Sequence, residues 1–355
     1  MARFLVVGAG IIGAAIAERL TSRGEEVVIV DGGHVAGGAT AASFGWINAS
    51  FYLDEAHFRL RREGLRAWRR ATERMGLRGI SWTGTLTWEG DLDAQEAALY
   101  ELGYEVTRLD AKSLSYLEPA LRNLPEAALA FHLEGVGEPQ DVTRGLIDRA
   151  VEAGAQLILG QRVRSLLAGD GAVIGVETDA GLIPADHVIL ATGTGTSALL
   201  APLGVDLPML DRPADMVVTA PVPSMLGHII VTEEREIRQD KAGRFWLPSN
   251  PRRQDVTGMV EAFDQEDVAR RSLDILTNTM VVERPRVEQL IRAKRPVPGD
   301  GLPVVGATGV DGLTVAVMHS GVTLAALVGE LVANELEGAP SDLLAPYQLA
   351  RFQRG

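Results

Sequence analysis

Residues 4–31 read FLVVGAGIIGAAIAERLTSRGEEVVIVD. An apolar run, 4–7, enters Gly8-Ala9-Gly10-Ile11-Ile12-Gly13. A helical pattern follows, and a second β-branched run, 27–30, ends at Asp31. In such a unit each glycine has a physical reason. Gly8 permits the tight turn, Gly10 lets a pyrophosphate approach the backbone, and Gly13 lets the helix pack close to the strand. The helix start at Ile11 and Ile12 offers free N–H groups and a positive dipole end to phosphate. Asp31 stands where a carboxylate accepts from ribose hydroxyls. Strand, glycines, helix, strand and acid together predict a dinucleotide-binding unit. The competing reading is a glycine-rich turn in an unrelated α/β domain.

The chain has 355 residues, 46% of them hydrophobic, which is more than one compact core needs and predicts one large or two intimate domains. Its net charge of −13 is the wrong sign for a nucleic-acid binder. There is no cysteine, which excludes disulfides, thiolate metal sites, Fe–S clusters and cysteinyl-flavin bonds. The opening MARFLVVGAG has no secretory leader pattern, and no apolar run reaches the roughly 20 residues of a membrane helix. The expectation is a soluble cytoplasmic protein, with peripheral membrane docking left open. The six histidines are scattered, so no metal site is expected. No GxSxG elbow or Walker loop occurs.

Outward from the opening unit, 37–46 (GGATAASFGW) is a run of small residues past which a ligand or a backbone can pass closely. Residues 55–75 read as a helix with Phe58, Leu65 and Trp68 at apolar positions. Its many arginines read as a solvated face pairing with Glu55, Glu63 and Glu73. Residues 80–89 alternate like a hairpin or strand. A helix is expected over 142–153 and β-structure over 156–159 and 173–178. The run 187–193 (HVILATG) reads as a buried strand entering a glycine turn. From 208 to 292 strand-like runs recur at 216–219, 228–231, 244–247 and 259–262, with a helix near 266–279. After Arg295-Pro296 come a strand at 313–317, a turn at His319-Ser320-Gly321 and a helix over 322–337. The fold class is therefore α/β: a Rossmann-like domain with an interleaved α+β substrate domain on a mainly antiparallel sheet. The first is expected at 1–78, 140–207 and 293–355, the second at 79–139 and 208–292.

Four blocks together resemble the D-amino-acid oxidase family of flavoenzymes, which includes glycine oxidase, sarcosine oxidase and the D-amino-acid dehydrogenases. They are VVGAGIIGAAIAERLTSRGEEVVIVD at the start, GGATAASFGW, VILATGTGTSAL in the middle, and RPVPGDGLPVVGATGVDGLTVAVMHSGVTLAALVGELVANELEG at the end. The resemblance implies FAD, with the interleaved domain order above. It places Gly8, Gly10, Ile11, Ile12 and Gly13 at the pyrophosphate and Asp31 on the adenosine ribose. Gly38, Thr40, Ala41 and Ser43 would follow the ribityl chain and flavin edge. Val163, in a strand over 161–165, would meet the adenine through its backbone, and Gly193 would border the nucleotide. Ser320, Gly321, Val322 and Thr323 would offer N–H groups to the flavin pyrimidine edge. The family often has Gly-His before the final turn, where this chain has Met318-His319-Ser320-Gly321. Relatives with covalent flavin use a cysteine or a histidine near the second block. Here Trp46 is followed by Ile47-Asn48, so non-covalent FAD is expected.

An amine oxidoreductase of this kind orients a neutral amine over the flavin, excludes water and needs a cation for an amino acid's carboxylate. Arg295 matches the family's carboxylate-binding arginine. Its alternative is a structural ion pair with Asp300. Lys294 and Arg292 are weaker candidates, because residues alternating in a strand cannot all face one site. His319 is either a contact to substrate or flavin or a backbone-fixed neighbour. His228, Arg238, Arg244, Trp46, Trp246, Asn48 and Tyr52 are lesser candidates. The expected reaction is FAD-dependent oxidation of a C–N bond in a small amino acid or secondary amine. The acceptor would be oxygen, or a quinone or electron-transfer partner. The alternatives are C–O oxidation of a 2-hydroxy acid, with His319 as base, and a flavin-binding subunit of a larger dehydrogenase complex. The sequence leaves the oligomeric state open.

Overall fold

The computed structural model describes residues 2–249 and 264–353. The expected strand at 259–262 lies outside the described residues.

Arg3–Val7 pairs in parallel with Glu26–Asp31 on one side and His187–Leu190 on the other. Parallel pairing continues outward to Gln156–Leu159 and to Leu313–Val317, and Val304–Ala307 closes the latter edge antiparallel. Side chains alternate across this six-stranded sheet. Phe4, Val6, Val27, Ile29 and Ile189 enter the core under the helices, while Leu5, Val7, Val28, Val30, Val188 and Leu190 enter the core on the other face. Strands covered on both faces must be apolar at successive positions, which is why 4–7 and 27–30 are unbroken apolar runs.

The helix layer contains Ile11–Thr21, Glu55–Met75, Pro139–Glu152 and Gly321–Leu336. Asp54 starts the second of these by accepting from His57 N at 2.7 Å, and Gly76, at φ 58°, stops it. Phe58, Leu65 and Trp68 are buried, as their spacing predicts. The Trp68 indole donates to Val322 O at 2.7 Å, so this helix is tied to the last one. Most of its arginines form the expected solvated face, though their partners differ and Arg61 is an exception. Arg59 and Arg66 do pair locally with Glu55 and Glu63. Arg74, however, forks onto Glu18 at 2.8 and 2.9 Å, Arg70 reaches Glu330, and Arg61 turns inward. The first and last helices pack almost backbone to backbone, since a Cβ on Gly329 would lie 2.6 Å from Ala15 O.

The second large sheet runs Val287–Lys294, Pro213–Thr219, Phe245–Pro248, Glu236–Gln239, Ile229–Val231, Thr85–Thr87, Ala127–Phe131, Thr107–Asp110. It is antiparallel except where Ile229–Val231 meets Thr85–Thr87. That seam joins two pieces of chain into one sheet. The run at 80–89 is not one strand: Gly84, at φ 77°, separates Ile80–Ser81 from Thr85–Thr87, which belong to different sheets. The expected strand around Val163 starts later than predicted and runs Val163–Gly169 in a three-stranded meander. The helix expected near 266–279 is Gln265–Thr279.

Gly329→Val is expected to overpack the helix crossing and cost at least about 1–3 kcal/mol, read as a lower midpoint in urea. An unchanged midpoint would mean that the two helices do not approach as described.

Candidate active site

A cavity of about 900 Å³ opens between the two sheets. Of the residues marked in the sequence, Gly8, Gly10, Ile11, Ile12, Asp31, Gly38, Thr40, Ser43, Val163, Gly193, Arg295, His319, Ser320, Gly321 and Val322 line it. Gly13, Ala41 and Thr323 do not. Gly13 packs the helix on its strand, where a Cβ would stand 1.9 Å from Gly8 O. The Thr323 hydroxyl straps the chain by donating to Trp46 O at 3.0 Å.

One end of the cavity is the glycine turn. Gly8 has φ 113°, and a Cβ there would meet Ala191 O at 2.5 Å. Gly10 has room apart from Thr40 Oγ1, which also accepts from Ile11 N at 3.1 Å. Asp31 braces the turn from below, accepting from Ala9 N at 2.8 Å and from Gly33 N at 2.7 Å. Each carboxylate oxygen keeps a further lone pair for a ligand hydroxyl. Exposed backbone donors, absent Cβ atoms and an acid at the strand end fit the adenosine and pyrophosphate portion of a dinucleotide such as FAD.

The other end is built on the last turn. Ser320, in the left-handed region at φ 60°, precedes Gly321–Leu336, whose first turn has neither a side-chain cap nor an acid. A Cβ on Gly321 would sit 3.5 Å from Ile12 Cγ1, so two helix N-termini adjoin in one cavity. Arg61 approaches from the Glu55–Met75 helix, 1% exposed. It donates to Asn48 O at 3.1 Å, to Asn48 Oδ1 at 2.5 Å and to Ser320 Oγ at 2.7 Å. In the sequence it stands masked by its neighbouring arginines. The signal was present: 58, 61, 65 and 68 share one helical face, so Arg61 stands in the apolar stripe. Glu134, fully buried, accepts from Ala49 N, Ser50 N, the Trp46 indole and Tyr104 Oη at 2.9–3.2 Å. Burial pushes its pKa up, and the Ser50, Thr85 and Ala49 donors pull the other way. No sequence pattern marked this residue.

Burial lowers His319 to about 3, helped by the charges of Arg295 and Arg61. His57 is likewise lowered to about 3 by burial, then by Arg61 and His319, and its Nδ1 accepts from Leu53 N. Arg295 lies half-buried in the cavity wall, and its Nε has no hydrogen-bond partner among the described residues. Burial and the neighbouring Arg212 lower its pKa, while Glu236 raises it. Asp300, its alternative partner, is instead forked by Arg351 at 2.7 and 3.1 Å. Lys294 and Arg292 are held by Asp211 and Asp215.

The lesser candidates divide. Asn48 and Trp46 line the cavity; Tyr52, His228, Arg238, Arg244 and Trp246 do not. His228 Nδ1 is bonded to Glu118 at 2.6 Å, Arg238 forks onto Glu138, Arg244 pairs with Glu288, and the Trp246 indole donates to Asp240. Among the described residues no cluster of His, Asp or Glu is placed to hold a metal, and no helix is long and apolar enough to cross a membrane.

Residues 3–335 match the family described as FAD dependent oxidoreductase, the D-amino-acid oxidase family. This chain belongs to that family and is an FAD-dependent oxidoreductase. It is 32% identical to an uncharacterised oxidoreductase of Halorhodospira halophila, over 59% of this chain and 98% of that one. It is 25% identical to the glycine oxidase of Bacillus licheniformis, over 95% and 93% of the two chains. Its fold matches the crystal structure of L-amino acid deaminase from Proteus vulgaris lacking a specific insertion, with TM-score 0.88, 22% identity and coverage of 99% and 94%.

The two depressed histidines make stability depend on pH. Between pH 6.5 and about 3 the unfolded chain protonates them while the folded protein does not. Their contribution is present above pH 6.5 and is lost as the pH falls through that window, by up to about 1.4 kcal/mol per pH unit for each. His57→Asn is expected to flatten the decline between pH 6.5 and 5 by one proton's share, measured by urea denaturation. A slope equal to that of the unaltered protein would exclude this role.

Proposed function

We propose that the protein oxidises the C–N bond of a small amino acid or secondary amine, with FAD held non-covalently in the cavity described above. The reading rests chiefly on Arg295, a half-buried guanidinium in the cavity wall whose charge acts on His319 of the flavin-side turn. Its fork suits a substrate carboxylate. The names of the relatives, glycine oxidase and L-amino acid deaminase, point the same way. The chain divides into a cofactor part (1–78, 140–207, 293–355) and a cap (79–139, 208–292), a division supported by the seam that unites the two cap pieces in one sheet.

Bound FAD supplies a hydride acceptor at N5. Arg295 anchors the carboxylate, so that the α C–H faces that atom. With FAD bound, the chemistry supplied would be removal of the C–H electron pair as hydride while the amine lone pair closes C=N, and water would then hydrolyse the imine to a carbonyl compound and ammonia, or a primary amine where the substrate is a secondary one. Gly8, Gly10, Ile11, Ile12, Asp31, Thr40 and Ser43 hold the nucleotide and ribityl portions, and Val163 and Gly193 border the nucleotide. Ser320, Gly321 and Val322 present the helix N-terminus to the flavin ring. Gly13 and Thr323 support these contacts from behind.

Oxidation of a 2-hydroxy acid would require a base for the hydroxyl proton. His319, at a pKa of about 3, is poorly matched to that task near neutrality. The same weak basicity leaves it a neutral neighbour of the reacting centre.

Anaerobic mixing of the holoprotein with D- and L-amino acids, N-methyl amino acids and 2-hydroxy acids tests the reaction. Bleaching of the flavin by an amine and not by a hydroxy acid is expected, and bleaching by hydroxy acids alone would reverse the reading. Readmitted oxygen separates the acceptors: fast recolouring marks an oxidase, and slow recolouring marks a dehydrogenase feeding a quinone or a partner protein. Arg295→Met is expected to lower kcat/KM about 10- to 100-fold for a carboxylated amine, the range of a lost charged hydrogen bond. Acid precipitation is expected to leave the flavin in the supernatant, and flavin in the pellet would mean a covalent bond.

A further inference from the structure

Arg61 is buried to 1% exposure in the cavity wall, and its three hydrogen bonds all go to neutral oxygens, on Asn48 and Ser320. Glu134 attracts it electrostatically, but that carboxylate is occupied by the Ala49 and Ser50 N–H groups, the Trp46 indole and Tyr104. Burial lowers the Arg61 pKa to about 10, a measure of how poorly the site repays its charge. The guanidinium also sits at the N-terminus of Gly321–Leu336, the end of a helix where a cation is disfavoured. The first turn of that helix has no acid. His319, beside it, feels both Arg61 and Arg295. Two guanidiniums and a helix N-terminus thus converge on one end of the cavity. A substrate carboxylate accounts for Arg295. Arg61 is committed by its bonds to Asn48 and Ser320, so it acts as a fixed field.

We propose that Arg61 is a positioning residue that sets the reduction potential of the bound FAD, its charge favouring the reduced ring while its fork holds Asn48 and Ser320 against the flavin. The inference rests on FAD occupying this cavity. Hydride delivery adds two electrons and one proton, so the ring gains one negative charge. A fixed cation that exchanges no proton stabilises that charge without reorganisation.

Midpoint potentials of the holoprotein, measured by dye-coupled reduction, test this with three variants. Arg61→Met is expected to disfavour the reduced flavin at least tenfold, a shift of about 30 mV to more negative potential for a two-electron couple. Asn48→Asp keeps the arginine and sets a carboxylate on its fork, and a shift in the same direction is expected. Arg61→Lys keeps the charge and is expected to retain most of the potential. If Arg61→Met does not fold or hold FAD, Asn48→Asp decides. Unmoved potentials would overturn the proposal. So would a shift in Arg61→Lys as large as in Arg61→Met, which would make geometry the cause, or a raised KM with an unmoved potential, which would assign Arg61 to substrate. Failure of the unaltered protein to take up FAD would instead overturn the reading of the cavity, and this inference with it.

Discussion

The crossing of the first and last helices fixes everything at the site. At Ala15 and Gly329 no side chain intervenes between the two backbones. One residue larger there would push the helices apart. Because they cross so closely, their N-termini, at Gly10 and Ser320, arrive side by side, with Ile12 touching Gly321. Two positive dipole ends are thereby aimed into one cavity, and the chain segments between them are arranged to keep that cavity open. Thr40 caps one helix start, and Asp31 braces the loop beneath it. At the other start no acid is supplied, and the nearby charge is that of Arg61.

The second large sheet is anchored by charged groups that do not line the cavity. Arg238 forks onto Glu138 at 2.9 and 3.2 Å and lies 4.7 Å over the Trp246 ring. Glu138 precedes the Pro139–Glu152 helix of the helix layer, and Arg238 belongs to the strand Glu236–Gln239 of the second large sheet. The pair therefore ties the second large sheet to the helix layer. Removing one partner of such a buried pair costs far more than the pair contributes against an apolar equivalent. Glu134 works in the same way at short range, fixing the backbone at 49–50 and the Trp46 ring.

The sheet that carries the nucleotide site was legible because its information is local. A strand, a glycine turn and a helix lie within 28 letters of one another, the span quoted first. The Glu55–Met75 helix was equally plain, since a cap, a stripe and a stopping glycine all agree. What sequence did not disclose is which polar residues turn inward. Arg61 was hidden by the arginines around it, and Glu134 by the absence of any pattern. Trp246 is kept from the cavity wall because strand alternation sends Phe245 and Leu247 into the core and the tryptophan out toward Asp240. The strands Glu236–Gln239 and Val287–Lys294 carry enough charge to read as connecting chain, yet the first lies in the interior and the second at the edge of the second large sheet. Contacts such as that between Arg61 and Ser320 exist only once distant segments have met.

The strand order of the six-stranded sheet also dictates how the molecule is made. Of the two neighbours of Arg3–Val7, one, beginning at His187, follows 183 residues later in the chain, and Leu313–Val317 beyond that is later still. Until then the apolar strand has an open edge, the form of surface that pairs wrongly with other chains. The nascent protein must keep that edge unsatisfied while the intervening chain is translated. Such non-local pairing folds slowly. The second helix N-terminus, at Gly321, is separated from the first, at Ile11, by some 310 residues, so the cavity is complete only when both segments have met.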